Sequence, residues 1–325
     1  MRPDEPKVDG PYAALSAVVV ALTHNRLLGA TKPHPERAIS AFFRYPCSTM
    51  LARFKLHLQR EWQARRHGRD ATERRAMART LHALDKAAGQ QEGPGEVAVP
   101  ILGHPMRGFS VGALRYLFNE VFLTGEYRFE CERPDPVIID CGANIGFATL
   151  YFKRLFPRST VHAFEANPNA FRLLEAHVKG NALSNVHLNQ VALSDAEGEL
   201  SFFISDDAGT LLGSVRADRG GTSELKVKAT RLSNLIASLD RVDAVKIDVE
   251  GAEWHILKDL QQSGTLAKPM RYLIEYHHQM GSDAPRLSEF LAPFEAAGYR
   301  YQIAGKLNAI TDFQDVLIHL QRGRP

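Results

Sequence analysis

An acidic residue and two glycines follow a short apolar run near the middle of the chain. The sequence VIIDCGANIGFATL places Asp140 at the end of the run, and it places Gly142 and Gly146 where a helix would begin. Glycines let the backbone turn sharply and approach a ligand closely, and a helix N-terminus presents free N–H groups. The pattern is D-x-G-x-x-x-G, so it lacks the G-x-G-x-x-G of loops that cradle a pyrophosphate. An acidic strand end suits a ligand with an ammonium and no phosphate, so we predict S-adenosylmethionine, bound by Asp140, Gly142, Ala143, Asn144 and Gly146.

A second acidic residue follows the next apolar run. Glu165 ends the sequence TVHAFE and lies 25 residues after Asp140, close to the roughly 20 residues that separate a glycine loop from the ribose-binding carboxylate in nucleotide-binding units. We therefore predict that Glu165 accepts the ribose hydroxyls, with Ala166 beside it at the cofactor. Asp195, in the sequence ALSD, is expected to approach the adenine, and a turn-forming aspartate is the alternative.

Three ionisable residues alternate along a further apolar run. The sequence VKIDVEG places Lys246, Asp248 and Glu250 at every second position of a strand that should be buried on both faces. Ionisable groups in such a strand need a partner or a function, and at the carboxyl end of a parallel sheet the usual function is a ligand site. Asp248 is also expected at the cofactor, whereas helix capping is the alternative for Glu250.

The sequence LIEYHH supplies candidates for the acceptor side of the site. We favour His277 as general base, because its unperturbed pKa of about 6.5 makes the neutral imidazole available at pH 7. Asp248 and Glu250 are the competing bases, and Glu275 and His278 are expected to contact the substrate. The carboxylates would alternatively hold a divalent cation, but carboxylates at two strand ends do not define a metal site, so we predict none.

The elements that must position these residues alternate between β-rich runs and helical patterns after Pro136, which predicts a mostly parallel sheet with helices on both faces. The predicted strands are residues 137–140, 160–164, 186–193, 244–249, 271–276, 299–304 and 315–321. Two alternating runs, ELSFFI and ELKVKAT, predict an antiparallel excursion between the third and fourth strands. The loop of residues 205–224 joins them and would close over a substrate through Ser214 and Arg216; a disordered hairpin tip is the alternative.

The first hundred residues differ from the rest in charge and pattern. Residues 1–95 hold 16 Lys/Arg and 9 Asp/Glu, so the remainder of the 40 and 37 in the chain is 24 and 28. The pattern is helical to residue 88, with three or four helices, and the Gly/Pro-rich residues 89–96 predict a linker. We therefore predict a basic helical region at residues 1–95 and a catalytic domain at residues 96–325. A further amphipathic helix is expected over residues 112–123.

Composition excludes several classes of protein. With 44% hydrophobic and 24% charged residues, the chain is neither disordered nor fibrous. The apolar run of residues 13–22 is about half of the roughly 20 residues that span a bilayer, and acidic residues outnumber basic ones where a signal peptide needs positive charge. Three widely spaced cysteines supply neither a disulfide framework nor a zinc site. We therefore expect a cytoplasmic protein without a membrane span.

The ordered motifs resemble the FkbM-type S-adenosylmethionine-dependent methyltransferases. The resemblance covers roughly residues 118–321 and rests on YRFECERPDPVIIDCGANIGFATLYF, VHAFEANPNAF, NVHLNQVALSD, VDAVKIDVEGAEWHILKDL and YLIEYHH. It implies a class I, Rossmann-like α/β fold of seven strands with the last antiparallel, and methyl transfer to a hydroxyl of a sugar, glycan or polyketide. Ala166 stands where the family commonly has proline and Cys141 where valine or isoleucine is usual, and neither change removes a functional group.

The basic leading region leaves the acceptor and the partners open. It would face an anionic or carrier-bound acceptor, a second copy of the chain in a homodimer, or water. An RNA methyltransferase is the alternative function, but the chain has no N/D-P-P-Y/F run, so nucleic acid is disfavoured. A non-catalytic cofactor-binding protein would lack polar groups at the ends of the fourth and fifth strands, where this sequence has Asp248 and His277.

Overall fold

The computed structural model describes residues 50–91, 93, 95–205, 213–280, 286–305 and 313–323. The helices expected before residue 50 and the tip of the loop at residues 206–212 lie outside the described residues. None of the helices within these ranges is long and apolar enough to span a membrane.

The chain alternates helices and strands. The helices are α1 (Met50–His67), α2 (Ala71–Ala88), α3 (Val111–Phe118), α4 (Phe147–Leu155), α5 (Pro168–Gly180), α6 (Ala217–Gly220), α7 (Leu232–Ser238), α8 (Glu253–Gln262) and α9 (Leu287–Ala296). The strands are β1 (Val97–Ile101), β2 (His104–Gly108), β3 (Val137–Cys141), β4 (Thr160–Phe164), β5 (Val186–Asn189), β6 (Ala192–Ser194), β7 (Gly198–Ile204), β8 (Gly213–Ser214), β9 (Ser223–Arg231), β10 (Ala244–Ile247), β11 (Arg271–His278), β12 (Tyr299–Gly305) and β13 (Gln314–Arg322). The helix expected over residues 112–123 ends at Phe118 and continues as a π-helical turn, Asn119–Thr124.

Seven strands form one sheet in the order β12-β13-β11-β10-β3-β4-β5. Strands β11, β10, β3, β4 and β5 are parallel, and β13 pairs antiparallel with both β11 and β12. The predicted seven-stranded sheet with an antiparallel last strand is therefore confirmed. The carboxyl ends of β3, β4, β10 and β11 meet at one edge of the sheet, and the first residues of β13 reach the same edge because that strand runs in the opposite direction.

Both faces of this sheet are covered, so its central strands are apolar in succession rather than alternately. In β3, Ile138 packs in a cluster that includes Phe118 of α3 and Phe152 of α4. Its neighbour Ile139 packs in a second cluster on the opposite face with residues of α7, α8 and α9, such as Phe290. Burial on both faces explains the continuous apolar run VII at the start of β3 and the apolar residues that flank Lys246 in β10.

One strand prediction is wrong, because residues 186–193 form two strands in different sheets. Strand β5 is the edge of the main sheet, whereas β6 belongs to a four-stranded sheet of order β6-β9-β7-β8. Ala192 of β6 packs with Phe202 and Val227 of that second sheet, so apolar burial draws the chain away from the main sheet after Asn189. Strands β7 and β9 are antiparallel, which confirms the predicted excursion.

The leading helices α1 and α2 pack on the elements that follow them. Leu84 of α2 is buried in the same cluster as Ile101 of β1 and Leu114 of α3. Arg60 of α1 pairs with Asp85 of α2. The boundary between a region at residues 1–95 and a domain at residues 96–325 stays a prediction.

Candidate active site

The glycine loop after β3 is held against the ends of two neighbouring strands. The N–H groups of Gly142 and Ala143 donate to the carbonyl oxygen of Phe164 in β4, at 3.0 and 2.8 Å. The φ of Gly142 is +78°, and a Cβ there would lie 1.8 Å from the carbonyl oxygen of Asp248. Gly146, with φ +92°, immediately precedes α4. The loop therefore lies between the ends of β4 and β10, in the position that the sequence predicts.

Asp140 is fully buried beneath this loop, and its charged partner is Lys246 of β10. The Lys246 Nζ lies 3.3 Å from Oδ1 of Asp140 and 3.2 Å from Oδ2 of Asp248. It also donates to the carbonyl oxygen of Gly142 at 2.7 Å, and the Thr149 hydroxyl donates to Asp140 at 2.7 Å. Burial lowers the pKa of Lys246, but the two carboxylates outweigh burial and raise it above its usual value. Asp140 thus stabilises the loop from within, which differs from the direct ligand contact that the sequence predicts.

Glu165 lies at the end of β4 beside the loop. Its carboxylate accepts the N–H groups of Asn144 and Asn167, each at 2.7 Å. Burial raises the pKa of Glu165 to about 7, although both N–H groups lower it. Each carboxylate oxygen retains a second lone pair after these bonds. The predicted cofactor residues Glu165 and Asn144 are therefore brought together, and Ala166 packs beside them against the second sheet.

Asp195 follows β6 beside a cavity of about 340 Å³. The cavity is lined by Leu193, Ser194, Leu200, Ser201, Val215, Arg216, Gly251 and His255. The carboxylate of Asp195 lies 2.5 Å from Nζ of Lys258 and 3.1 Å from Nδ1 of His255, both on α8. The hydrogen bond from Lys258 lowers the pKa of Asp195 to about 2. Asp195 is thus a charged acceptor at the rim of a cavity with partly apolar walls.

Asp248 and Glu250 lie in the loop between β10 and α8, because β10 ends at Ile247. The Tyr127 hydroxyl lies 3.0 Å from Oδ2 of Asp248 and 3.1 Å from Oε2 of Glu275. The side chain of Asp248 is 23% exposed, and within the described residues no hydrogen bond reaches its Oδ1. Burial, followed by the charge of Asp248, raises the pKa of Glu275 to about 8. The two carboxyl groups therefore differ. Asp248 has an oxygen without a hydrogen bond from any described residue, whereas Glu275 holds a proton near neutral pH.

His277 is enclosed by carboxylates rather than free to act as a neutral base. Its Nδ1 lies 2.7 Å from Oε1 of Glu253, and its Nε2 lies 3.1 Å from Oε2 of Glu250. Burial lowers the pKa of His277, but the two glutamates outweigh burial and raise it well above its usual value. These contacts disfavour the neutral imidazole that we expect from the sequence at pH 7. The base role of His277 stays a prediction that its charge disfavours.

Glu250 is held in place by its neighbours. Arg219 Nε donates to its Oε2 at 2.6 Å, and the hydroxyl of Ser214 donates to its carbonyl oxygen at 2.5 Å. Its φ of +52° is unusual for a residue with a side chain. Burial raises the pKa of Glu250, but His277 and Arg219 outweigh burial and lower it to about 2. Ser214 is fully buried, which is unlike the exposed position that we expect for a substrate contact. Arg216 lines the cavity beside Asp195.

Asp248, Glu250 and His277 each place one metal-ligating atom within 4.8 Å of the others. Glu250 and His277 already pair with one another, and an imidazolium has no lone pair to offer a cation. The residues therefore form an ion-pair network, and the absence of a metal stays a prediction. His278 lies at the same strand end with its Nδ1 buried and no partner for that atom in the described part of the chain.

Sequence reasoning missed several residues of this site. Tyr127 precedes β3, and Phe313 and Asp315 lie at the start of β13. The ring of Phe313 stacks on that of His277 with centroids 6.1 Å apart, and the Arg219 guanidinium lies 4.8 Å from the Phe313 centroid. The only sequence signal was the presence of Tyr127 in the motif YRFECERPDPVIID. The topology brings these residues to the site from distant positions in the chain.

A seven-stranded sheet with an antiparallel last strand, a glycine loop after β3 and an acidic end to β10 define a class I, Rossmann-like methyltransferase. Residues 140–301 match the model of the methyltransferase FkbM domain. The chain is 30% identical over 179 residues to "Methyltransferase sdnD" of Sordaria araneosa, covering 46% of this chain and 69% of the relative. The chain therefore belongs to the FkbM methyltransferase family, and it is an enzyme.

Two further comparisons concern individual relatives. The chain is 30% identical over 164 residues to "2-O-methyltransferase NoeI" of Sinorhizobium fredii, covering 46% of this chain and 66% of that protein. A crystal structure of methyltransferase FkbM from Methylobacillus flagellatus aligns with a TM-score of 0.41 and 16% identity, covering 83% of this chain and 59% of that chain.

Proposed function

We propose that the protein is an S-adenosylmethionine-dependent O-methyltransferase that acts on a hydroxyl of a sugar, glycan or polyketide-type small molecule. The observation that carries this proposal is the contact of the glycine loop with Asp248, which has an unbonded carboxylate oxygen at the same sheet edge. Relatives support an oxygen acceptor, since one is named a 2-O-methyltransferase and another a 31-O-demethyl-FK506 methyltransferase.

The residues at this edge fit S-adenosylmethionine. Glu165 retains lone pairs for the ribose hydroxyls, and the partly exposed Gly142 and Asn144 offer the loop to the methionine moiety. The cavity beside Asp195 has the apolar wall that an adenine ring requires. When bound, the cofactor supplies a methyl group activated by its sulfonium, whose sulfur keeps the electrons of the broken bond.

Asp248 is the residue that we assign as proton acceptor. An alcohol loses its proton as its oxygen is methylated, and a positioned base contributes about 100- to 10,000-fold to the rate. Lys246 and Tyr127 both hold Oδ2 of Asp248, so its Oδ1 remains to accept that proton. His277 and Glu250 are less suited, because they neutralise one another in an ion pair.

The charge near this carboxylate favours a neutral acceptor over the anionic one suggested by the basic leading region. Carboxylates surround the acceptor side at Asp248, Glu250 and Asp315. The nearby cations Lys246, Arg219 and His277 are each paired with carboxylates. An anionic acceptor would therefore meet net repulsion, whereas a polyhydroxyl compound would find hydrogen-bond acceptors.

Transfer of a labelled methyl group from S-adenosylmethionine to a panel of sugars, glycans and polyketides tests the proposal. We expect a methyl ether product, and we expect calorimetry to detect binding of S-adenosylhomocysteine. Asp248→Asn should lower turnover by about 100- to 10,000-fold, whereas its binding of S-adenosylhomocysteine should be retained. The exposed Asp240→Asn is the matched control and should keep both properties.

Two outcomes of this experiment would contradict the proposal. Cofactor binding without transfer to any hydroxyl compound would favour a non-catalytic protein. Transfer to RNA, added to the panel as a further acceptor, in place of the small molecules would favour the nucleic-acid alternative.

A further inference from the structure

Tyr127 is buried between two carboxylates that belong to different strand ends. The residue is 4% exposed and lies outside residues 140–301, which match the family model. Its hydroxyl oxygen lies 3.0 Å from Asp248 Oδ2 and 3.1 Å from Glu275 Oε2. Among the residues that the structure describes, no lysine, arginine or histidine nitrogen lies within 4.0 Å of the Glu275 carboxylate. Tyr127 is therefore its one hydrogen-bond partner in those ranges.

The single hydroxyl proton of Tyr127 forms a hydrogen bond with only one of these two carboxyl groups at a time. If Tyr127 donates to Asp248, its contact with Glu275 is a hydrogen bond only when Glu275 carries a proton and donates to the hydroxyl oxygen. The Lys246 ammonium lies 3.2 Å from Oδ2 of Asp248 and pairs with that carboxylate, so Glu275 is the member of the pair that carries the proton. Tyr127 keeps its proton, because burial raises its pKa well above the usual value.

We propose that Tyr127 is a positioning residue, which joins a protonated Glu275 and an ionised Asp248 in one hydrogen-bonded chain and so directs Oδ1 of Asp248 at the acceptor. The inference rests on the proposed function. In the reaction the acceptor oxygen forms the new bond to the methyl carbon and its proton passes to Oδ1 of Asp248. The electron pair of the broken C–S bond stays on sulfur. Tyr127 touches none of the reacting atoms and acts through Asp248.

Ionisable groups face Glu275 from every element packed against it. They are Asp248 and Glu250 after β10, His277 of β11, Asp315 of β13, Arg219 of α6, Tyr116 of α3, and Glu120 and Tyr127 between α3 and β3. Burial and the charges of Asp248, Asp315 and Glu250 raise the pKa of Glu275, whereas His277 lowers it. The net result is a pKa of about 8 in place of the ordinary 4.5.

The difference between the folded and the ordinary pKa of Glu275 links the hydrogen-bonded chain to the free energy of unfolding. A carboxyl group whose pKa is raised by folding contributes stability that is complete below its unfolded pKa and is lost as the pH rises through its folded pKa. For Glu275 the loss therefore runs from about pH 4.5 through about pH 8. This measurement requires neither an acceptor nor a cofactor.

Urea unfolding of the full chain from about pH 5 to about pH 9 tests the proposal. Glu275→Gln should reduce the loss of stability across this range, and the raised pKa values of Glu165 and Glu120 should leave the remainder. Tyr127→Phe should keep the loss but move its midpoint downward by about one pH unit, because protonated Glu275 loses the hydroxyl oxygen that accepts its hydrogen bond. Tyr151→Phe, which removes the hydroxyl of another buried tyrosine in the same cluster, is the matched control and should give a curve parallel to that of the unaltered protein. A uniform loss at every pH in Tyr127→Phe would overturn the proposal.

Kinetics with an acceptor from the labelled-methyl panel give the second test. Tyr127→Phe should lower kcat by about 10- to 100-fold, and its pH profile should shift in the same direction as the stability midpoint. Acceptor KM and the affinity for S-adenosylhomocysteine should change less than about threefold. An unchanged kcat would overturn the positioning role. Absence of transfer by the unaltered protein would instead contradict the proposed function, and the unfolding curves would then still decide whether the hydrogen-bonded chain exists.

Discussion

Gly142 joins the proposed cofactor side of the site to the proposed acceptor side because it has no side chain. Its backbone, at φ +78°, approaches the carbonyl oxygen of Asp248 so closely that a Cβ would lie 1.8 Å from that atom. Lys246 then donates to the carbonyl oxygen of Gly142 at 2.7 Å. Because Lys246 also contacts Asp248, the loop and the assigned proton acceptor are held at a fixed separation.

We expect Gly142→Ala to destabilise the fold and to weaken cofactor binding. A left-handed alanine costs about 1–2 kcal/mol, and the overlap with the Asp248 carbonyl adds about 1–3 kcal/mol of overpacking. Gly264→Ala is the matched control, because Gly264 has φ +70° and a Cβ at this position would meet no atom within 4 Å, so only the backbone cost applies. Urea unfolding and titration with S-adenosylhomocysteine measure both effects. Equal losses in the two variants would show that the close approach at Gly142 is unimportant.

At the scale of elements, α5 ties the hairpin of β1 and β2 to the glycine loop through His177. The backbone N–H of Arg107 in β2 donates to Nε2 of His177 at 2.7 Å. Nε2 is therefore unprotonated, so Nδ1 carries the proton and donates to the carbonyl oxygen of Ile145 at 2.7 Å. Burial lowers the pKa of His177, which keeps the imidazole neutral. An element before β3 is thus connected to the loop that precedes α4.

Acid should break this connection. Protonation of His177 removes the lone pair that accepts from Arg107, and a histidine whose pKa is lowered by folding contributes stability that is lost as the pH falls below its unfolded value of about 6.5. His177→Gln should therefore remove part of the acid-side loss and cost about 1 kcal/mol above that pH. His57→Gln on the exposed surface of α1 is the control and should keep the original slope. Urea unfolding across this pH range measures the slopes, and an unchanged slope in His177→Gln would assign the acid sensitivity to other groups.

Local pattern was sufficient where a strand is buried on both faces. The apolar residues of β3, β4 and β11 predict those strands to within two residues at each end, because burial on both faces leaves few polar positions in a central strand. The edge strand β5 has no such constraint, and the packing of Ala192 on the second sheet decides where the chain leaves. No pattern within residues 186–193 contains that information.

The candidate site was likewise predictable only in part from the sequence. The strand ends predict that Asp248 and His277 meet at one edge, since parallel strands share their carboxyl ends. The charge of His277 was not predictable, because it depends on contacts with Glu250 and Glu253 that form only in the folded chain. Tyr127 was missed for the same reason, since 121 residues separate it from Asp248 in sequence.

For the whole molecule, the position of α2 bears on how the chain unfolds. Residues Cys47–Pro325 form one compact unit. Leu84 of α2 has no exposed surface and packs in the cluster that also holds Ile101 of β1 and Ile138 of β3. The hydroxyl of Thr80 accepts the N–H of Leu102 at 2.7 Å, which adds a polar link across the expected linker. These contacts favour unfolding of α2 together with the sheet.

Leu84→Ala tests this cooperativity in the full chain. Removal of a buried leucine side chain should cost about 2–5 kcal/mol, and calorimetry should show that it lowers the same transition that S-adenosylhomocysteine raises. Leu58→Ala on α1 is the control, because Leu58 is 52% exposed and its loss should change stability little. If the leading helices instead formed a separate domain ending near residue 95, Leu84→Ala would lower a transition that the cofactor product does not affect. S-adenosylhomocysteine reports on the unfolding of the sheet, and Leu84→Ala reports on the unfolding of α2. If both change one transition, α2 belongs to the same domain as the sheet; if they change two different transitions, the domain boundary lies between them.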